Sequence, residues 1–409
     1  MPEHHVRTTE YDVIVIGGGP AGSATAGLLA RSGHDVLLLE REKFPRYHIG
    51  ESLITGCMGV LEELGIRERV AALGFVEKYG GSLVWGRDGR WRFAFAEGKP
   101  EFPHAYNVRR ADFDALVLTR ARELGAHVLE QATVKEAVVE NGRVVGVRYV
   151  VRGGEEGEAR ARMVVDASGQ ARVLGRTLGG VDWQDDLRNV AVWSYYQDGE
   201  PLAGDETGNI FVEHVPGGWF WYIPLHDGTH SVGFVTAAED AAATGLELPA
   251  LFEAKVEESV HLKQYMKRAK RTDAFRSARD WSYVCREFAG PGWMLVGDAA
   301  GFVDPLFSTG VTLAMLAGRA AAEAIPIILK DPERESTVQA RYDKSYREFL
   351  GTILSFVRYF YDVGLDRDAY YKYAQALVDP GQLFFPRKDF VTLISGLNSL
   401  QPVFDLDVD

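Results

Sequence analysis

Apolar residues run unbroken from Val13 to Ile16 and stop at Gly17. A short apolar run closed by glycine predicts a buried parallel strand over residues 11–16. Residues 20–31 are alanine-rich with helical spacing, and a second apolar run over 36–39 ends at Glu40. Strand, helix and strand make a βαβ unit. Residues 52–64 read as a helix. Between 81 and 95, Leu83, Trp85, Trp91 and Phe93 alternate around Asp88-Gly89, the pattern of a hairpin. Residues 111–124 predict an amphipathic helix, and 132–165 a strand meander turning at Asn141-Gly142.

From 190 to 238 the chain alternates in aromatic-rich strands, which predicts a large antiparallel sheet. A buried strand returns over 293–296, followed by helices over 310–325 and 337–361. A Tyr- and Phe-rich tail begins at Asp362, helical at first. This order predicts an α/β fold. A discontinuous Rossmann-like nucleotide domain takes residues 1–80, 105–182 and 280–330. An inserted antiparallel sheet for the substrate takes 81–104 and 183–279, and a helical C-terminal region takes 331–409.

Composition changes this picture little. Hydrophobic residues are 46% and charged residues 25% of the 409, ordinary for a globular protein. No apolar run approaches the roughly 20 residues that span a bilayer. The polar start, with His4 and His5, lacks the apolar core of a secretory signal. Two cysteines, Cys57 and Cys285, imply no disulfide framework, so a reducing cytoplasm is expected. The net charge of −13 argues against non-specific binding to nucleic acid or anionic membrane, while leaving room for a local basic patch facing an acidic carrier protein. His104 and His214 have no metal-ligand spacing, so no metal site is expected.

The chemistry begins at residues 17–22, Gly-Gly-Gly-Pro-Ala-Gly, between strand and helix. Gly17, Gly19 and Gly22 complete Gly-x-Gly-x-x-Gly. Such a turn brings backbone, including Ala21, close to a pyrophosphate at a helix N-terminus. Glu40 lies 18 residues after Gly22, where a carboxylate accepts from a ribose 2′-hydroxyl. A dinucleotide site follows.

Gly297-Asp298-Ala299-Ala300, after the strand over 293–296, resembles the Gly-Asp motif of the glutathione-reductase-like FAD fold in its aromatic-hydroxylase branch. Gly50-Glu51-Ser52-Leu53, Arg110-Ala111-Asp112-Phe113-Asp114 and residues 164–169 resemble the same branch. The resemblance implies FAD, with Asp298 on the ribityl chain, Arg110 near the flavin and the Val134 backbone near the adenine. From residue type alone, Arg110 reads rather as a solvated helix-start charge. No second Gly-x-Gly-x-x-Gly points to an NADPH domain, which is compatible with reduced FAD supplied by a separate flavin reductase.

Three further elements resemble flavin-dependent halogenases, over nearly the whole chain. Residues 219–224, Trp-Phe-Trp-Tyr-Ile-Pro, match their Trp-x-Trp-x-Ile-Pro string. There Trp219 and Trp221 would keep the organic substrate apart from the flavin; the plain alternative is a core strand of stacked aromatics. Residues 302–310 match Phe-x-x-Pro-x-x-Ser-x-Gly, placing Pro305 and Gly310 at the cofactor and Ser308, Thr309 and Gly310 at a chloride or bromide. Backbone N–H groups at a helix start form such an anion site. Lys78, ordinarily a surface charge, matches the family's active-site lysine. An ammonium there can hydrogen-bond hypohalous acid, and a neutral amine can form a haloamine.

The resemblance implies electrophilic halogenation of an electron-rich ring in natural-product (antibiotic) biosynthesis. Tryptophan halogenases carry Glu beside the conserved Ser, where this chain has Phe307, and they have long additions absent here. The likeness is to enzymes of phenols and pyrroles, whose substrate is a free aromatic small molecule or one borne by an acyl carrier protein. Phe356, Tyr359, Phe360, Tyr361, Tyr370, Tyr371 and Tyr373 either line the substrate pocket or pack a C-terminal helix. The rivals are an aromatic hydroxylase on the same fold, an isoprenoid-chain reductase, and a flavoprotein that has lost catalysis.

Overall fold

The computed structural model describes residues 9–98, 101–378, 381 and 385–396. His4, His5 and the end of the expected C-terminal region lie outside the described residues.

Two sheets organise the fold. In the first, strands Thr9–Ile16, Val36–Glu40, His127–Glu130, Glu156–Asp166 and Trp293–Leu295 pair in parallel. Their order runs from Trp293–Leu295 through Glu156–Asp166, Thr9–Ile16 and Val36–Glu40 to His127–Glu130. The meander Ala132–Glu140, Arg143–Val151 and Glu156–Asp166 hangs from it, with Asn141 and Gly142 both at positive φ in the turn. Val13 to Ile16 and Val36 to Leu39 are buried, as strands covered on both faces require.

The second sheet has nine strands and is antiparallel except at one pair, Ile210–Val215 beside Gly80–Val84. The aromatic strand Gly218–Pro224 lies between Ile210–Val215 and His230–Ala237. Period two divides its side chains. Trp219, Trp221 and Ile223 face the main core, while Phe220 and Tyr222 pack with Phe211, Phe234 and Phe252 in a second cluster. A third, two-stranded sheet pairs Val76–Lys78 with Ala105–Asn107, so Lys78 ends a strand of its own.

Helices Pro20–Arg31 and Gly310–Lys330 meet at Gly318, where an added Cβ would lie 2.6 Å from the Ala21 carbonyl oxygen. That close approach aims both helix N-termini at one cavity. Gly310–Lys330 is long and apolar enough by length and composition to cross a membrane. It is mostly buried, as a core helix.

The helix expected over 52–64 is shorter. Only Met58–Glu63 is α-helical, after a 3₁₀ turn at Thr55–Cys57. Tertiary bonds capture the start: Leu53 N–H donates to Tyr106 O at 2.9 Å and Gly56 N–H to Ser395 O at 2.8 Å. The C-terminal region holds helices Glu335–Phe360, Arg367–Val378 and Pro386–Ile394.

Candidate active site

A cavity of about 630 Å³ lies between the two sheets. Its wall brings together Gly17, Gly19, Ala21, Glu40, Gly50, Arg110, Val134, Trp219, Trp221, Asp298, Pro305, Ser308 and Gly310. These residues are far apart in the chain and converge because the parallel strands end at one edge. The crevice beyond strand carboxyl ends is where open α/β sheets bind ligands.

At one end is the glycine turn. Gly22 serves packing rather than the cavity, since a Cβ there would fall 1.9 Å from the Gly17 carbonyl oxygen. Gly19 opens toward the cavity, with Arg46 Nη2 the nearest atom at 3.5 Å from an added Cβ. Glu40 is buried, and its two oxygens accept Gly18 N–H at 2.6 Å and Glu42 N–H at 2.7 Å. Each carboxylate oxygen retains lone-pair capacity for a ligand hydroxyl. Arg46 went unnoticed in the sequence. It lines the cavity beside the turn and pairs with buried Asp114 at 2.9 Å. Arg110 pairs with the same Asp114 at 2.8 Å and donates to Ile49 O at 2.7 Å, so it orders the segment that carries Gly50.

At the other end lie the tryptophans and the loop before Gly310–Lys330. Trp221 donates to Ser231 Oγ at 3.1 Å, and Trp219 donates to Tyr361 Oη at 2.9 Å. Tyr361 donates onward to Asp304 Oδ2 at 3.0 Å, and Asp304 Oδ1 accepts Leu306 N–H at 2.9 Å. One buried carboxylate therefore ties the loop to the tryptophan wall. Burial lifts the Asp304 carboxyl to about 6, and burial lifts Asp298 to about 6 against the charge of Arg110.

Ser308 sits in the left-handed region at φ 59°. Its N–H donates to Pro305 O at 3.0 Å and is not available to an anion. Among the described residues, no backbone acceptor takes the N–H of Thr309 or Gly310, as expected at a helix start. Thr309 is buried at the residue preceding the helix, with no side-chain capping bond, outside the cavity wall.

Lys78 is only 1% exposed and also stands behind the wall. Its Nζ donates to Ser52 Oγ at 2.8 Å and to Leu53 O at 2.9 Å, and Ser52 faces the cavity. Burial pushes the Lys78 ammonium down to about 7. Among the described residues, none of the tail aromatics lines the cavity. Phe307 packs on Phe360 and Phe356 with centroids at 4.8 and 5.3 Å, and Tyr359 stacks on Tyr373 at 4.0 Å. Of the two readings of the tail, packing is the one seen.

Residues 12–102 and 96–383 match the family model described as tryptophan halogenase. The chain belongs to the flavin-dependent halogenase family. A tryptophan 2-halogenase of Chondromyces crocatus is 33% identical over 408 residues, covering 95% of this chain and 76% of its own length. A 1H-pyrrole-2-carbonyl-peptidyl-carrier-protein chlorinase of Pseudomonas fluorescens is 30% identical over 387 residues, covering 87% and 84%. The structure of the myxobacterial chondrochloren halogenase superposes with a TM-score of 0.84 at 36% identity, over 97% of this chain and 92% of that one. Family members are oxidoreductases, and membership implies use of FAD and halide. The cavity suits FAD. It offers a glycine turn at a helix start, a buried Glu40, and a buried Glu51 oxygen, Oε2, that no protein donor satisfies.

Proposed function

We propose that this halogenase oxidises chloride or bromide inside the cavity and directs hypohalous acid to Lys78 for electrophilic substitution on a phenol or pyrrole. The observation that carries the reading is the shared wall: Trp219, Trp221 and Ile223 face the same cavity as the glycine turn and the loop at Pro305 and Gly310. FAD, reduced by a separate flavin reductase, supplies the two electrons that activate dioxygen when bound. The two sheets are the cores of the nucleotide and substrate domains.

Gly19, Ala21, Glu40, Gly50, Arg110, Val134 and Asp298 hold the cofactor along the cavity. The N–H groups of Thr309 and Gly310 bind the halide, and the Ser308 turn shapes the loop around them. Trp219 and Trp221 occlude the space where an organic ring would otherwise reach the flavin, which favours halide over hydroxylation. Lys78 is half protonated near neutral pH, so it can hold hypohalous acid by hydrogen bond or take up halogen as a haloamine. The proton on Nζ is kept in place by Ser52 and Leu53.

Phe307 supports a phenol or pyrrole over tryptophan. Packed on Phe356 and Phe360, it offers no carboxylate opposite the oxidant, so the ring must be activated by its own hydroxyl or nitrogen. Natural-product biosynthesis in the cytoplasm fits such a substrate, free or carried as a thioester by an acyl carrier protein. The alternative, an aromatic hydroxylase, needs its substrate where the tryptophans stand. The test is an aerobic reaction with flavin reductase, NADH, FAD and bromide over a panel of free phenols and pyrroles and their carrier-bound thioesters. Brominated products confined to one class identify the substrate form. Hydroxylated products made without bromide select the hydroxylase.

A further inference from the structure

Oxidation of halide by dioxygen at a reduced flavin consumes a proton: reduced FAD, O2, halide and H⁺ give FAD, hypohalous acid and H2O. A donor on the cavity wall would deliver that proton without bringing bulk water to the reacting centre, where water diverts the chemistry. The acids on the wall differ in what they can do. Glu40 is engaged by two backbone amides and Asp304 by Leu306 N–H and the Tyr361 hydroxyl. Asp298 faces the position proposed for the ribityl chain. Glu51 is different: it lines the cavity and is 2% exposed, and although the Ser231 hydroxyl lies close enough to lower its carboxyl, no protein donor reaches Oε2 in hydrogen-bond geometry.

Behind Glu51 runs a line of hydroxyls. Its Oε1 lies 2.8 Å from the buried Tyr195 hydroxyl, which lies 3.0 Å from the hydroxyl of Tyr47. Tyr47 is 42% exposed and is not on the cavity wall. The indole of Trp193 donates to Tyr47 at 2.7 Å and leaves the Tyr47 proton free to point at Tyr195. We infer that Tyr47, Tyr195 and Glu51 form a proton relay from solvent to the reacting centre, with Glu51 as the final donor. This rests on the halogenase reading and names the source of its proton.

Each transfer balances. Glu51 gives its Oε2 proton to the oxygen leaving as water, and the resulting carboxylate takes the Tyr195 proton at Oε1. Tyr195 takes the Tyr47 proton, Tyr47 takes one from solvent, and rotation of the carboxyl group resets the line. The surrounding charges allow a neutral Glu51. Arg109 Nη1 is 3.7 Å from Oε1, but its Nη2 is 2.7 Å from Asp227. Arg110 is held by Asp114, and Arg276 stacks over the Tyr47 ring at 4.0 Å while paired with Asp273. Burial raises the Glu51 carboxyl, outweighing the Ser231, Tyr195 and arginine contributions that lower it.

The test pairs infrared spectroscopy with kinetics. In the FAD-free protein at neutral pH, a protonated-carboxyl C=O band should be present and should vanish in Glu51→Gln. In the bromination assay, Tyr195→Phe should lower kcat about tenfold or more with bromide KM and FAD Kd unchanged, part of the roughly 100- to 10,000-fold that acid catalysis contributes. Tyr47→Phe, at an exposed site that keeps the ring, should lower kcat in the same direction should Tyr195→Phe fold poorly. Absence of the band, or an undiminished rate in both tyrosine variants, overturns the relay while wild-type bromination leaves the halogenase reading standing. A wild type that brominates nothing overturns both.

Discussion

The indole N–H of Trp219 donates to the hydroxyl of Tyr361 at 2.9 Å, joining two residues 142 positions apart. The same hydroxyl donates to Asp304 at 3.0 Å, so the tryptophan wall and the proposed halide loop share one anchor. Tyr361→Phe removes that anchor and leaves a buried indole donor unsatisfied, a cost of about 1–3 kcal/mol. The expected outcome is a folded protein that binds FAD normally but converts less of the reduced flavin into halogenated product and more into hydrogen peroxide. Paired product and peroxide assays measure the split. An unchanged ratio contradicts the anchoring role.

Lys78 gives a prediction in pH. Above about 7 the folded protein has released the ammonium proton, whereas the unfolded chain keeps it until about 10.5. Wild-type stability therefore rises with pH between those values. Below pH 7 the ammonium is charged in both states and its burial penalty is complete. Compared with Lys78→Met, wild type should gain relative stability steadily from pH 7 to 10, by an amount on the order of several kcal/mol. Denaturant titrations of both proteins across that range measure it. A pH-independent difference would mean that Lys78 is not held near neutrality.

Much of this arrangement was legible in the chain. The glycine turn, the βαβ unit and the aromatic strand are local patterns whose period and punctuation carry their structure. The short start of the helix after Ser52 was not, because bonds to Tyr106 and Ser395 from distant segments decide it. Nor were Arg46, the Tyr47–Tyr195 pair and the bonds of Tyr361 to Trp219 and Asp304, whose partners are remote in sequence. Asp304 did carry a signal. An Asp just before Pro305 can accept the N–H two residues on, and Leu306 supplies it. Thr309 fits its halide motif, yet it is buried and does not line the cavity.

The left-handed conformation of Ser308 is a second lever on the loop. Glycine adopts it freely and valine does not, the penalty being about 1–2 kcal/mol. Ser308→Gly should keep both stability and bromide KM near wild type. Ser308→Val should lower the unfolding midpoint and raise bromide KM. Equal behaviour of the two variants would show that loop shape does not govern halide use.

Glu40 should matter for cofactor affinity before any turnover. Glu40→Ala strips the acceptor from Gly18 N–H and Glu42 N–H and loosens the glycine turn. A loss of about 1.5–3 kcal/mol corresponds to roughly 10- to 100-fold weaker FAD binding. Titration of the FAD-free protein followed by flavin fluorescence reads this directly. Unaltered affinity would move the cofactor away from the turn.

The most direct test of the account is a single turnover with reduced FAD, dioxygen, bromide and an accepted phenol or pyrrole, comparing wild type with Lys78→Ala by mass spectrometry. The account predicts a brominated product from wild type and none from Lys78→Ala, with flavin reoxidation at a similar rate in both. A product that is hydroxylated and independent of bromide, or bromination undiminished in Lys78→Ala, would contradict it.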